Sequence, residues 1–431
     1  MNPCKLLMCL CLVLATQLTQ AGPKIERWQT KSGAAVLFVE NHSLPIVDVQ
    51  VDFAAGTAYE RADKAGEAAL TRSLLDLGVS GLDETQIASR MADLGAKLSG
   101  AVDRDRASVT LRTLSMADKR GPALDMLRAI LSSPQFPAEV LDREKARSIA
   151  ALKDALTRPE AIASKALWAA MYGTHAYGRQ ATPESVSSLT RADMLAFHAT
   201  NYTAQRASVV IVGDLSRAQA ASLADELTAA MPSGPAAVGI AVPELPAAGE
   251  QRIAHPAAQA HLLLGLPALK RGDPDFFALA VGNYSLGGGG FVSRLVKEVR
   301  DKRGLAYSVY SYFSPLQQLG PFQIGLQTKK EQANAALKVT REVLANFLEQ
   351  GPSEAEVQAA KQNLIGSFPL RLDSNRKLLE SVAMIGFYGL PLDYLDHYPD
   401  NIGRVTVPDI KNAFARHVQP EHLVTVVVAG E

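Results

Sequence analysis

Ser208-Val-Val-Ile-Val-Gly213 and Thr425-Val-Val-Val-Ala-Gly430 read as one buried strand written twice, with the closing glycines 430 − 213 = 217 residues apart. Working outward, Leu189-Thr190-Arg-Ala-Asp193 resembles Val405-Thr406-Val-Pro-Asp409 at an offset of 406 − 190 = 216. Val109-Thr-Leu-Arg-Thr113 resembles Ile324-Gly-Leu-Gln-Thr328 at 324 − 109 = 215. Any one match is weak, because buried strands look alike. Three in order at a nearly constant offset predict two copies of one domain of roughly 200 residues. Between them, Pro232-Ser-Gly-Pro235 through Pro243, Pro246 and Gly249 is rich in Pro, Gly and Ala and reads as a linker. The expected division is an N-terminal domain over 22–231, a linker over 232–250 and a C-terminal domain over 251–431.

Each copy mixes strands and helices. Val47, Val49, Val51 and Phe53 alternate with Asp48, Gln50 and Asp52, the period of a half-buried strand, and Phe322, Ile324 and Leu326 alternate with Gln323, Gly325 and Gln327. Helical stretches intervene at Leu124–Leu131, Arg143–Leu156 and Ala335–Leu348. Strands with one wet face predict an α+β architecture in which each domain is a largely antiparallel sheet covered by helices on the other side.

The first 21 residues stand apart. Lys5 precedes an apolar run from Leu6 to Ala15, and Thr19-Gln20-Ala21 ends in a small residue, the pattern of a cleaved secretory signal peptide. That run is too short for a membrane-spanning helix. The lipoprotein reading is weakened because Met8 and Leu10 precede Cys9 and Cys11, where a small residue belongs. Cys4, Cys9 and Cys11 are all the cysteines, so a chain beginning at Gly22 has no disulfide and no thiol chemistry. Export without disulfides, at 431 residues, predicts a periplasmic protein. Lys+Arg and Asp+Glu both total 44, and removing Lys5 leaves 44 − 1 = 43 positive groups. A neutral chain lacks the field that collects nucleic acid, and none is expected as a partner.

The familiar hydrolase motifs are missing. Gly78-Val-Ser80-Gly81 brings its second glycine one position too early for a nucleophile elbow, and reads as a turn. Gly287-Gly288-Gly289-Gly290 has no Lys-Ser/Thr to make it a phosphate loop, and reads as a flexible connection into a helix over Phe291–Asp301. The pairs His255/His261 and His417/His422 lack the i, i+4 spacing of two ligands on one helix face, and Pro420 argues against a helix around the second pair.

Longer segments are more specific. Phe53-Ala-Ala-Gly-Thr-Ala-Tyr59-Glu60 leads into a helix, and Tyr172-Gly173-Thr-His-Ala-Tyr177-Gly178-Arg179 follows one. Leu286-Gly-Gly-Gly-Gly-Phe-Val-Ser-Arg294-Leu-Val-Lys-Glu298-Val-Arg300-Asp-Lys-Arg-Gly304-Leu-Ala-Tyr307-Ser is longer still. With the duplication, these segments resemble the pitrilysin/insulinase-type zinc peptidases, the family that includes the mitochondrial processing peptidase. The resemblance covers nearly the whole chain after residue 21. It implies two homologous domains, each an antiparallel sheet with helices on one side.

The departure from the family pattern matters as much. Active members carry H-x-x-E-H on the first helix. Here Ala69 and Ser73 stand where the two His ligands would be, Arg72 where the catalytic Glu would be, and the third ligand falls near Ala151, seven residues after Glu144. A methyl group has no lone pair, a neutral hydroxyl is a poor zinc ligand, and a guanidinium repels a divalent ion. No metal or other cofactor is expected in this chain. The resemblance does preserve the other half of the site: an Arg and a Tyr seven residues later, here Arg300 and Tyr307, which in the family contact substrate and the developing oxyanion. A fork and a phenol can both donate to carbonyl oxygens, and count most where negative charge develops. Two functions follow. One is a zinc-less subunit of a hetero-oligomeric metallopeptidase, whose partner supplies H-x-x-E-H and zinc for peptide substrates. The alternative is a non-enzymatic peptide-binding or structural subunit of the same fold.

Overall fold

The computed structural model describes residues 22–430, so the segment read as a signal peptide lies outside the described residues. The N-terminal half contains β1 (Glu26–Gln29), β2 (Ala35–Glu40), β3 (Ile46–Phe53), the short ribbon β4 (Gly78–Val79) and β5 (Leu82–Asp83), then β6 (Lys97–Ser99), β7 (Ala107–Leu114) and β8 (Ala207–Gly213). Six of these form a sheet in the order β1-β2-β8-β3-β7-β6. The C-terminal half supplies β9 (Gly249–Ala254), β10 (Gln259–Leu269), β11 (Ser308–Phe313), β12 (Gly320–Lys329) and β13 (Val424–Ala429), in the order β11-β12-β10-β13-β9. Residues 232–248 between them carry no helix or strand. Among the helices, α1 (Glu67–Leu74), α2 (Ala138–Ala155), α3 (Pro159–Tyr172), α4 (Phe276–Asn283) and α5 (Asn375–Tyr388) set the site. No helix among the described residues is long and apolar enough to cross a membrane.

The two sheets repeat one topology. β6-β7-β3-β8-β2 corresponds to β11-β12-β10-β13-β9, and in each the last pair is parallel while the others are antiparallel. All three sequence matches fall on equivalent elements: β7 with β12, β8 with β13, and two helix starts. At those starts Thr190 and Thr406 form the same capping box with Asp193 and Asp409. The fold is the expected α+β arrangement in two copies.

One expectation is overturned. Asp48, Gln50 and Asp52 do not form a wet face; they are 2%, 8% and 0% exposed. Their face of the first sheet is covered by α5, which belongs to the other half of the chain and packs on β8, β3 and β2. Reciprocally, α3 from the first half packs on β10 and β13 of the second sheet. The two exchanged helices occupy equivalent repeat positions, 375 − 159 = 216 residues apart. Along β8, Val209 and Ile211 join the core of the first half, while Val210 and Val212 join the core that α5 shares. Contact is close on both sides. A Cβ on Gly386 of α5 would lie 2.5 Å from Leu37, and one on Gly265 of β10 would lie 2.9 Å from Met171 of α3. The acids beneath α5 are paired, as burial requires. Arg112 forks onto Asp48 at 2.7 and 2.9 Å, and Arg106 reaches Asp52 at 3.1 Å. Burial nonetheless pushes the Asp52 carboxyl up to about 6, against the pull of Arg106.

The exchange converges on Asp105, which is fully buried between β6 and β7. Its Oδ1 accepts from the Tyr177 hydroxyl at 2.6 Å, just beyond α3. Its Oδ2 accepts from the Tyr388 hydroxyl at the end of α5 (2.9 Å) and from the Gln317 N–H in the β11–β12 turn (2.7 Å). Burial pushes this carboxyl up while the three donors hold it down. Because a charged acceptor with three donors is replaced by an amide that must point a donor at one of them, Asp105→Asn should lower the unfolding free energy by about 2–3 kcal/mol in urea. Tyr388→Phe should cost about 1–2 kcal/mol. Losses below about half a kilocalorie per mole in both variants would show that the cluster does not clamp the two halves.

Candidate functional site

Helix α1 begins where the Glu60 side chain accepts the N–H groups of Gly66 and Ala68 at 3.0 Å each, capping orphan donors of its first turn. On this helix Ala69 and Ser73, one turn apart, are exposed, and the Ser73 hydroxyl is turned back onto the Leu70 carbonyl at 2.9 Å. Arg72 points the other way, into the protein. Its Nε donates to the Ser108 carbonyl and its Nη2 to the Ser99 carbonyl, both at 2.7 Å, and Nη1 reaches Asp76 at 3.4 Å. Ala151 lies exposed on α2, which packs against α1. The four positions thus offer two methyl groups, a self-satisfied hydroxyl and a permanent cation bonded into the sheet. They do not fit zinc.

A different trio, Asp273, Asp275 and His417, places three ligand atoms within 4.8 Å of one another. These groups are already engaged. The Arg416 fork takes both Asp275 oxygens at 2.8 and 2.9 Å, and His417 bonds Ala268 O and Asp275 at 2.9 and 3.0 Å. The trio is an ion-pair lock on a helix end. Around His422, Pro420–His422 makes one 3-10 turn, with no longer helix.

The Arg/Tyr half is built differently from the single helix expected over Phe291–Asp301. Helix α4 runs on as a π-turn over Tyr284–Gly288, a 3-10 turn spans Gly290–Val292, and a second π-turn spans Val296–Asp301. Extended backbone at Ser293 (ψ 154°) separates the pieces. Nor is the glycine run simply an open connection. A Cβ on Gly287 would lie 2.4 Å from Ser311, and one on Gly288 would lie 2.6 Å from Asn283; Gly290 has open space and a φ of 60°. Among the described residues three neighbouring cations are paired, while Lys297 is not: Arg294 forks onto Glu356 at 2.8 and 2.7 Å, and Lys302 and Arg303 both hold Glu298. Arg300 and Tyr307 are not. Neither side chain has a hydrogen-bond or ion-pair partner among the described residues. The Arg300 guanidinium lies 5.1 Å from the centre of the Phe291 ring, which is 72% exposed, and Tyr307 is 79% exposed. The backbone fixes their placement. Gly304 N–H donates to Arg300 O (2.8 Å), Leu305 N–H to Val299 O (2.9 Å) and Tyr307 N–H to Gln327 O (3.0 Å). The structure gives no direct bond between the two side chains.

Residues 35–183 match the model of the insulinase (peptidase family M16) domain, and residues 188–364 match the peptidase M16 inactive domain. The chain belongs to peptidase family M16. Among its relatives, the "Non-peptidase homolog YmxG" of Helicobacter pylori is 25% identical, with 92% of each chain covered. The mitochondrial-processing peptidase subunit beta of Blastocladiella emersonii is 24% identical over 94% of this chain and 89% of its own. A solved M16 inactive domain from Pseudomonas fluorescens is 39% identical, covers 95% of this chain and 98% of its own, and superposes with a TM-score of 0.91. The descriptions of inactive M16 relatives agree with the loss of the zinc-site residues at positions 69, 72 and 73 on α1 and 151 on α2.

Sequence reasoning missed a part of this M16 chain: the loop carrying Arg104, Asp105 and Arg106, opposite the Phe53–Glu60 segment. Thr57 and Ala58 N–H groups donate to the Asp103 and Arg104 carbonyls at 3.0 and 2.9 Å. The signal was Tyr177, conspicuous inside its motif but without a visible partner.

Two predictions follow from α1. First, the chain purified from cells should carry well under one zinc per molecule, and elemental analysis finding one tightly held zinc would refute the reading. Second, burial pushes the Glu60 carboxyl from its ordinary 4.5 up to about 7, with Glu67 nearby adding to it. Between those values the folded chain keeps a proton that the unfolded chain has released, so stability falls as pH rises through that window. One oxygen of Glu60 accepts both N–H groups, and an amide oxygen can do the same. Glu60→Gln should therefore gain about 2–3 kcal/mol relative to the parent between pH 5 and pH 8. Parallel urea-stability profiles for the two would contradict this.

Proposed function

We propose that this chain is the zinc-less subunit of a hetero-oligomeric M16 peptidase. A family partner carries H-x-x-E-H and zinc, and this chain contributes Arg300 and Tyr307 to peptide binding and oxyanion stabilisation. The observation that supports the reading is the pairing pattern. Lys302, Arg303 and Arg294 are each satisfied by an acid, whereas Arg300 and Tyr307, with Lys297 beside them, are left open to an incoming group. Exposed donors contribute little in water and far more in a closed, dry site, which is the reason to expect a second half-shell facing this one. A homodimer would pair two zinc-less halves and could not be the enzyme. The leader-like residues 1–21 favour the periplasm. A relative named as a subunit of the mitochondrial-processing peptidase fits an assembly of unlike chains.

The second reading is a peptide-binding or structural subunit without a part in hydrolysis, and the relative named a non-peptidase homolog favours it. Activity of the reconstituted pair separates the two. Tyr307→Phe removes one donor while keeping the ring, and should lower turnover of a quenched peptide by about a hundredfold. Arg300→Lys keeps the charge but loses the planar fork, and should also be damaging. Unchanged turnover in both variants, at unchanged melting temperature, would favour the second reading. Co-expression with an H-x-x-E-H relative encoded nearby should give one species larger than either chain on size exclusion. A neighbour that is fully active alone and elutes separately would sink the heterodimer.

A further inference from the structure

Of the two arginines in the Asp103–Arg106 loop, Arg104 is the one not tied to an acid among the described residues. Asp105 takes three donors, and Arg106 is paired with Asp52 and Asp103. The Arg104 guanidinium instead lies over Trp168 of α3, 4.0 Å from the ring centre. Its Nη1 donates to the Arg179 carbonyl at 3.1 Å; Nε and Nη2 have no partner among the described residues. Burial pushes this guanidinium down, with Tyr172 and Glu60 the first groups to oppose it. The nearby carboxylates are already committed, Glu60 to the first turn of α1 and Asp105 to its cluster.

The Arg104 side chain lines a cavity of about 370 Å³ between α2 and α3. Leu152, Leu156, Ala161 and Pro183 make its apolar walls, and Lys165 is the second cation on its lining. Ala155, one turn beyond Ala151 on α2, also lines the cavity, which therefore adjoins the helix face on which the family's third zinc ligand is lost. Its size falls at the lower end of ordinary ligand sites.

We propose that this cavity holds a carboxylate of a bound polypeptide, either its C-terminus or an acidic side chain, on the Nε/Nη2 edge of Arg104. The edge presents two parallel N–H donors, which match the two oxygens of a carboxylate. Trp168 backs the guanidinium and the loop's backbone bonds fix its base, so little conformational freedom is lost on binding. The apolar walls suit the hydrocarbon next to the charge. This inference rests on the reading of the chain as a peptide-holding subunit.

The test uses the full chain from Gly22 and fluorescence anisotropy of three labelled peptides that share one sequence free of Asp and Glu. One ends in a free carboxylate, one in an amide, and one is amidated with a single internal Glu. The free carboxylate or the internal Glu should tighten binding about tenfold over the plain amide, and which of the two does so identifies the source. Arg104→Gln should erase the difference, and Arg104→Lys should recover only part of it. Melting temperatures check that both variants fold, and the comparison among peptides on the parent chain stands without them. Equal binding of all three peptides, unchanged in Arg104→Gln, would overturn this inference and leave peptide holding intact. Binding of none would overturn both.

Discussion

A single buried carboxylate holds the two halves of this molecule in register. Asp105 sits where water cannot reach it, so its charge is tolerable only while donors from elsewhere in the chain surround it. Those donors come from three places: Tyr177 beyond α3, Tyr388 at the end of α5 and the Gln317 backbone in the β11–β12 turn. Tyr177 belongs to the same half as Asp105, whereas Tyr388 and Gln317 arrive only when the other half is docked. Helix exchange and the satisfaction of Asp105 are therefore one event, with apolar burial providing the drive and the carboxylate specifying the geometry.

The same clamp organises the surface around the vanished zinc site. Asp105 lies between Arg104, which lines a cavity, and Arg106, which neutralises Asp52 beneath α5. On the other side of the sheet, Arg72 uses its donors to satisfy the Ser99 and Ser108 carbonyls. A catalytic glutamate at that position could accept bonds but could not donate these two. The loss of catalysis and the gain of an internal brace are thus the same substitution.

Much of this was legible in the sequence, for physical reasons that can be named. Buried strands with fixed spacing announce duplication because both copies must fill the same core. The absence of ligands at positions 69, 72, 73 and 151 can be read without coordinates, since a methyl group cannot coordinate in any geometry. The exchange of α3 and α5 was not legible. Asp48, Gln50 and Asp52 alternate with valines as a solvated face does, and only their partners Arg112 and Arg106, from β7 and the loop before it, reveal that the face is dry. Alternation reports that two faces differ in polarity, not that one of them meets water. The two π-turns around the glycine run escaped for a similar reason, because they depend on where Ser311 and Asn283 come to lie.

The stretch 232–248, which carries no helix or strand, gains a different meaning once the exchange is recognised. It is the covalent path between the halves but not what keeps them together, for each half already threads a helix across the other. Topologically the molecule is a swapped dimer that happens to be made from one chain. A cut in that stretch would leave two interlocked fragments, and the same architecture could be encoded as two separate polypeptides that fold only in each other's company.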